Sequence, residues 1–289
     1  MKTPCISMVL TCALIVAGTA TAQQTPEIVQ AGVISTDRNE TFPAIDPVDG
    51  SLWFSVYAEN FDRQVIMRAA RWGSGWEAPA VVAFSGREWG DRAPRFAPDK
   101  KRLYFSSNRP TSGDGAAGLF HLWALERTGR EWSEPRLLPE PINSAAADRH
   151  SSETRAGELY FSSTRPGGAG RSDIYRARRA GSAWSVERIP EPINDRLSQP
   201  DLLVSPDGRW MLLVITDHPD GLGGDDLFLS RFEGGAWSKP KPLPEPMNSK
   251  EYEYGPSLSP DGRTLYFTSH RRGSADVYRV SVSALGLGT

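Results

Sequence analysis

Acidic side chains recur at one position of an internal repeat, three residues before the first strand of each unit. The residues at that position are Glu40, Asp91, Asp148, Leu197 and Glu253, so four of the five are carboxylic acids. Two carboxyls about 5–10 Å apart could hydrolyse a glycoside, one as the acid and the other as the base or nucleophile. Carboxylates that repeat with the fold can also be structural, because each unit of a repeat protein contacts its neighbours in the same way.

Basic side chains recur at a second position, the end of the second strand of each unit. They are Arg109, Arg165, His218 and Arg271, and Glu59 stands near the corresponding point of the first unit. Both positions should meet at the mouth of a central channel, where we expect an ion-pair collar. The alternative is a polar pocket for a carbohydrate or a peptide, and His150, which interrupts the symmetry, is a further candidate for it.

Metal binding is a weaker alternative. The four histidines, His121, His150, His218 and His270, have no spacing typical of zinc ligands. Four carboxylates, Asp217, Asp220, Asp225 and Asp226, flank a glycine-rich loop that could hold calcium, although their spacing is not that of an EF-hand. We expect an acid-rich turn in which Asp226 bonds its own loop backbone, and we predict neither a metal nor a cofactor. There is no Gly-x-Ser-x-Gly motif.

Three sequence features repeat in register and must position these side chains. An apolar tripeptide begins at Leu52, Leu103, Leu159, Met211 and Leu265, at spacings of 51, 56, 52 and 54 residues. A tryptophan recurs at Trp76, Trp132, Trp184 and Trp237, and a turn, Asp-Gly in three of the five units, precedes each tripeptide. Each unit therefore indicates four short antiparallel strands, with a tight hairpin between the first two and the tryptophan opening the fourth. Such a unit at this period is typical of a propeller blade.

The repeat predicts an all-β, five-bladed propeller that occupies residues 23–289 as one domain. The blades fall near residues 42–84, 93–139, 150–190, 199–244 and 255–282. The fifth unit stops after its third strand, and residues 26–29 (PEIV) align with residues 135–138 (PRLL) at the outer strand of the second unit. We therefore expect residues 26–34 to complete the last blade and close the ring, which protects its sheet edges.

The first 22 residues are typical of a secretory leader. Lys2 precedes an apolar run over residues 6–16, and residues 20–22 (ATA) predict cleavage after Ala22. Both cysteines, Cys5 and Cys12, lie in this segment, so the mature chain would form no disulfide. The formal net charge of −2 offers no basic field for nucleic acid, and no further apolar stretch could span a bilayer. We expect a periplasmic or secreted monomer.

Several motifs resemble those of the TolB-like propellers, a family of WD40-like repeats also found fused to OmpA-like domains. They are residues 160–170 (YFSSTRPGGAG), 173–175 (DIY), 205–208 and 259–262 (SPDG), and 139–143 and 190–194 (PEPIN). The resemblance spans nearly the whole predicted mature chain. It implies a non-catalytic binding or scaffold protein of the cell envelope, with a protein partner or a carbohydrate ligand on the loop face. The alternative is a five-bladed glycoside hydrolase of the arabinanase type.

Overall fold

The computed structural model describes residues 25–57, 63–86, 88–111, 118–181 and 183–287. These residues form five antiparallel sheets arranged in a ring, with a single short 3-10 helix, Val282–Leu285, in the part described. The chain is a five-bladed β-propeller, as the repeat predicts. The predicted leader and Glu59 lie outside the described residues.

The strands follow the chain blade by blade. Strand β1 is Glu27–Ile28, and the first blade contains β2 Glu40–Ile45, β3 Leu52–Tyr57, β4 Gln64–Ala69, β5 Arg71–Trp72, β6 Gly75–Trp76 and β7 Ala80–Val81. The second contains β8 Asp91–Phe96, β9 Arg102–Ser107, β10 His121–Thr128, β11 Glu131–Trp132 and β12 Arg136–Leu137. The third contains β13 Asp148–Glu153, β14 Leu159–Ser163, β15 Asp173–Ala180 and β16 Ala183–Arg188. The fourth contains β17 Ser198–Val204, β18 Trp210–Thr216, β19 Asp225–Glu233, β20 Ala236–Trp237 and β21 Lys241–Pro242, and the fifth β22 Glu253–Leu258, β23 Thr264–Ser269 and β24 Asp276–Ser281.

The N-terminal strand closes the ring. Strand β1 pairs antiparallel with β24, Glu27 opposite Arg279 and Ile28 opposite Tyr278. The Val29 N–H extends this ladder by donating to the Val277 carbonyl at 2.8 Å. The buried Ser35 hydroxyl donates to the same carbonyl. The fifth sheet thus has the order β1-β24-β23-β22, which confirms the prediction from the aligned outer-strand segments.

The apolar tripeptides pack blade against blade. Five separate clusters of buried side chains each join two neighbouring blades, including one between the fifth and the first. Phe54, Phe105, Phe161 and Phe267 from the tripeptides are fully buried in them. The hydrophobic core is therefore distributed around the ring, which explains why the tripeptide recurs in every unit.

The predicted position of the tryptophans is wrong in three blades. Trp76, Trp132 and Trp237 lie in short two-residue strands that pair back on the third strand or its extension, and the true outer strands β7, β12 and β21 come later. Pro79, Pro135 and Pro240 follow these tryptophans by three residues. Because proline has no N–H to donate, it interrupts the ladder. The third blade has Glu187 at that position, and there β16 runs unbroken through Trp184.

The innermost strand of each blade carries a β-bulge that ties it to the preceding blade. The register shifts within β2, β8, β13, β17 and β22. At the bulge Phe42, Ala93, His150 and Gly255 have φ between 50° and 67°. The first three donate their N–H to a hydroxyl of the previous blade, at 3.0–3.1 Å. Gly255 donates instead to the Asp201 carboxylate at 2.9 Å, because Val214 stands where the other blades have the hydroxyl residue.

Candidate functional site

The four repeat carboxylates are buried. Glu40, Asp91, Asp148 and Glu253 are at most 2% exposed. Three of them face the predicted arginines within their own blade: Asp91 and Arg109 at 2.7 Å, Asp148 and Arg165 at 2.7 Å, and Glu253 and Arg271 at 3.4 Å. The structure therefore brings the predicted acids and bases together as three separate pairs, one per blade.

The third blade shows how completely such a carboxylate is satisfied. Asp148 accepts hydrogen bonds from the Ser144 N–H and hydroxyl at 2.6 and 2.8 Å, and from the Ser163 hydroxyl at 2.5 Å. Arg165 also donates to the carbonyls of Pro141 and Ile142 in the PEPIN spacer, at 3.1 and 2.6 Å. The ion pair therefore fixes the incoming connection to the end of the second strand. The fifth blade repeats this arrangement around Glu253.

The remaining two blades keep the geometry with other residues. In the first, Thr36 donates its N–H to Glu40 at 2.9 Å, and its hydroxyl also bonds that carboxylate. In the fourth, Leu197 is not the equivalent residue. Gln199 lies six residues before the turn that starts at Ser205, as each acid does before its own turn, and its amide donates to Asp195 at 3.0 Å. The fourth blade therefore has the donor, Gln199, where the other blades have the acid, and the acid, Asp195, where the first, third and fifth blades have the donor.

Burial dominates the protonation of two of these carboxyls, Asp91 and Glu40. Loss of water raises the pKa of Asp91 above its ordinary value, and the nearby Arg109 opposes the rise. Burial likewise raises the pKa of Glu40, whose bonds from Thr36 act in the opposite direction. Desolvation makes such groups costly to charge unless partners compensate.

The two histidine candidates lie apart from the collar. His150 is 6% exposed and stacks on Phe42 with ring centroids 4.9 Å apart. Its Nδ1 lies 2.7 Å from the Pro200 carbonyl, and burial together with Arg92 and Arg149 holds its pKa well below the ordinary value. His218 packs on Phe228 at 4.6 Å in an outer loop.

The acid-rich loop of the fourth blade bonds its own backbone, as predicted. Asp226 accepts the N–H groups of Leu222 and Gly223 at 2.8 and 3.0 Å. Asp225 accepts the Thr216 hydroxyl at 2.6 Å. In the described ranges no group of three or more His, Cys, Asp or Glu side chains is placed to hold a metal ion.

The side chains that converge on the channel axis are a different set, which the repeat position of the acids did not reveal. One residue after each acid or its equivalent, the innermost strands present Thr41, Arg92, Arg149, Pro200 and Tyr254. The charge of Arg92 interacts with Tyr57, Arg149, Asp201 and Tyr254, so groups from all five blades meet near it. The residue type at this position differs from blade to blade, as expected of a binding site. That variation at one position of the repeat is the sequence signal that points to the site.

Arg92 and Arg149 are the distinctive groups at this loop-face mouth. Arg92 lies over the Phe120 ring at 4.0 Å, and its only hydrogen bond within the described chain is a long one to Gln64, at 3.5 Å. The Arg149 side chain has no hydrogen bond or ion pair among the described residues, and its buried Nε lacks a partner there. Burial and the neighbouring Arg149 lower the pKa of Arg92 to about 10. Two half-buried guanidiniums thus stand together without a carboxylate in contact.

The other end of the channel is a cavity of about 340 Å³ that opens among the first hairpin turns. All five blades line it. Its wall includes Ala44, Leu203 and Leu258, with Arg95 and Glu153 as charged groups. Between the two ends, the stacked rings of Phe42 and His150 occupy the axis.

Comparison with known proteins supports the fold. No protein-family model and no curated protein sequence matches the chain. A solved structure described as TolB from Agrobacterium tumefaciens is 19% identical, with a TM-score of 0.50 over 81% of this chain and 71% of that one. An alpha-L-arabinofuranosidase from Lactobacillus brevis is 15% identical, with a TM-score of 0.53 over 86% and 92%. The fold is thus a β-propeller of the kind seen in the TolB structure, and the arabinofuranosidase shares it. Among the described residues no helix is long and apolar enough to cross a membrane.

Proposed function

We propose that this chain is an exported, non-catalytic binding protein of the cell envelope, formed by one propeller domain over residues 23–289. Its partner or ligand binds at the loop-face mouth of the channel. The observation that carries the proposal is the pair of half-buried arginines, Arg92 and Arg149, which contact no carboxylate in the described chain. Arg109, Arg165 and Arg271, by contrast, are paired and structural.

The physical argument concerns charge. Two neighbouring guanidiniums repel each other, and each lacks part of the hydrogen bonding that water would provide. An acidic side chain or an acidic sugar would accept those hydrogen bonds and neutralise the charge. Charge-assisted bonds of this kind are among the strongest in proteins. The partner surface that fits is therefore anionic, and an envelope protein or a carbohydrate could present it.

The buried collar supports binding over catalysis. A glycoside hydrolase needs one carboxyl to transfer a proton and a second to act as base or nucleophile, with room for the sugar between them. Asp91, Asp148 and Glu253 are each bonded to an arginine and shielded from solvent. The alternative function predicts release of reducing sugar from arabinan or from arabinofuranosides. Folded protein that releases none across a polysaccharide panel would support the binding function.

The test compares two double variants in a capture experiment. R92Q/R149Q removes the mouth charges, and R209Q/R263Q removes two exposed charges on the turn face. Immobilised wild-type chain should retain a partner from envelope extract of the native host, the control variant should retain it equally, and R92Q/R149Q should not. Circular dichroism establishes that all three are folded. Equal retention by R92Q/R149Q would refute the mouth as the binding face.

Export and assembly are separate parts of the proposal with their own measurements. Mass spectrometry of the protein from the periplasm or the medium should give a mature N-terminus at Gln23. Light scattering with size-exclusion chromatography should give the mass of a monomer. A retained leader would contradict export, but it would not bear on whether the partner binds at the loop-face mouth.

A further inference from the structure

The cavity at the turn face holds an arginine, one edge of which makes no hydrogen bond to the described residues. Arg95 is 5% exposed and lines the cavity. Its Nη1 donates to the carbonyls of Pro94 and Pro43, at 3.2 and 3.4 Å. Its Nε and Nη2 are buried and have no hydrogen-bond partner in the described part of the chain. Nε and Nη2 form one edge of the guanidinium, which is the edge that grips two oxygens of one anion.

The nearest carboxylate does not use that edge. Asp201 Oδ2 lies 3.9 Å from Arg95 Nη2, beyond hydrogen-bond distance. Both oxygens of Asp201 are already engaged, Oδ1 by the Leu202 N–H at 2.8 Å and Oδ2 by the Gly255 N–H at 2.9 Å. Asp201 is therefore fixed by the backbone and balances the charge of Arg95 from a distance.

The rest of the cavity adds donors, positive charge and apolar walls. Ser257 also lines the cavity, and its buried hydroxyl has no hydrogen-bond partner among the residues that the structure describes. Lys100 and Arg155 line the cavity and are exposed, while Glu153 is paired with Arg102 at 3.0 Å. Ala44, Leu203 and Leu258 provide apolar surface beside these groups. A volume of 340 Å³ is at the small end of the range of small-molecule sites.

We infer that this cavity is a second binding site, which takes the carboxylate of a small organic acid on the Nε and Nη2 edge of Arg95. Ser257 donates to the same carboxylate, and the short aliphatic part of the acid lies against Leu203 and Leu258. The site is separate from the loop-face mouth because Phe42 and His150 occupy the axis between them. It stands or falls independently of the function proposed above.

The experiment titrates the mature protein with butyrate, succinate and inorganic phosphate and follows arginine Nε–H resonances by NMR. The Arg95 resonance is assigned by its loss in the variant R95K. A carboxylate should shift it saturably, and the shift should be weaker with phosphate, which lacks the apolar stem. R95K keeps the charge but loses the two-point contact, so its affinity for the same acids, measured by isothermal titration calorimetry beside the wild type, should fall at least about tenfold. The matched control R136Q, on the exposed outer strand β12, should bind as wild type.

A second variant guards against misfolding of R95K. S257A removes one neutral donor, and its affinity should fall about two- to tenfold. Three results would overturn the inference: no saturable shift with any carboxylate at millimolar concentration, binding that is unchanged in both variants, or tighter binding of phosphate than of butyrate and succinate. Loss of binding in R136Q as well would show that binding follows the overall charge of the protein, and it would also overturn the inference.

Discussion

Removal of Arg165 tests whether the collar is a structural element. Arg165→Ala would leave the Asp148 carboxylate at 0% exposure without its positive partner. Its matched control is Arg68→Ala, which breaks an ion pair of the same length, 2.8 Å against 2.7 Å, but between side chains 40% and 46% exposed. The two variants therefore differ in the burial of the ion pair, and R165A also removes the hydrogen bonds to the Pro141 and Ile142 carbonyls.

Burial determines how much free energy of unfolding each variant should lose. Breaking a buried ion pair costs about 3–5 kcal/mol, because the remaining charge stays out of water. An exposed pair contributes about 0–1 kcal/mol. For a chain of this size the first figure corresponds to a fall in melting temperature of about 6–20 °C, and the second to at most a few degrees.

The assay is urea unfolding monitored by tryptophan fluorescence, with the melting temperature as a second measure. The double variant R165A/D148N removes the uncompensated charge and should recover at least about 1 kcal/mol of the loss. Equal losses for R165A and R68A, or no recovery in R165A/D148N, would refute the view that burial makes this pair structural.

Three further predictions concern the channel and its innermost strands. Burial raises the pKa of Asp201 to about 6, so the folded state binds this proton more tightly and Asp201 makes stability rise as the pH falls from 6 to 4. Asp201→Asn should abolish that contribution, up to about 3 kcal/mol, in urea unfolding at several pH values. His150 acts in the opposite direction, because its lowered pKa makes the folded state resist protonation and stability is lost as the pH falls below about 6.5. His150→Asn, which tolerates the positive φ, should reduce this acid sensitivity, and an unchanged pH profile would contradict the assignment. Gly255→Ala should destabilise the fold about 1–3 kcal/mol more than Gly262→Ala. Both glycines have φ near +70°, but a Cβ at Gly255 would lie 3.1 Å from the Phe42 Cα, whereas a Cβ at Gly262 would meet no described atom within 4 Å. Equal losses in the two glycine variants would show that Phe42 can move aside.

Repetition made the architecture predictable. The tripeptide and the turn indicate the same local structure in each of five units, so the strand assignment of an ambiguous unit follows from the other four. The alignment of residues 26–29 with residues 135–138 located the closing strand, and β1 and β12 do occupy matching positions, each paired with the third strand of its blade. The tryptophans of three blades do not open the outer strands, because Pro79, Pro135 and Pro240 interrupt the ladder three residues after them.

The candidate site was less predictable, for a physical reason. A residue that repeats in every blade reports a contact that every blade makes, and Asp148 with Arg165 is such a contact. Residues that face the axis differ between blades, so Arg92 and Arg149 gave no periodic signal. Gln199 gives no periodic signal either. It donates a hydrogen bond to Asp195, so the fourth blade keeps the bond but has the acid and the donor at each other's positions. Arg92, Arg149 and Gln199 can all be found in the sequence. Their equivalence to residues of the other blades depends on where the β-bulges of the innermost strands fall, and that is seen only in the folded structure.

The closing strand has a consequence for how the protein acquires its structure. Glu27 and Arg279, which face each other across the last sheet, are 252 residues apart along the chain. During synthesis β1 has no partner until the final strands emerge, and its unpaired edge must stay free of other strands for that whole interval. Contacts between such distant residues form slowly because the intervening chain must be ordered first. The ring should therefore complete itself late, after its other four blades have assembled, and joining β1 to β24 is the step most exposed to error.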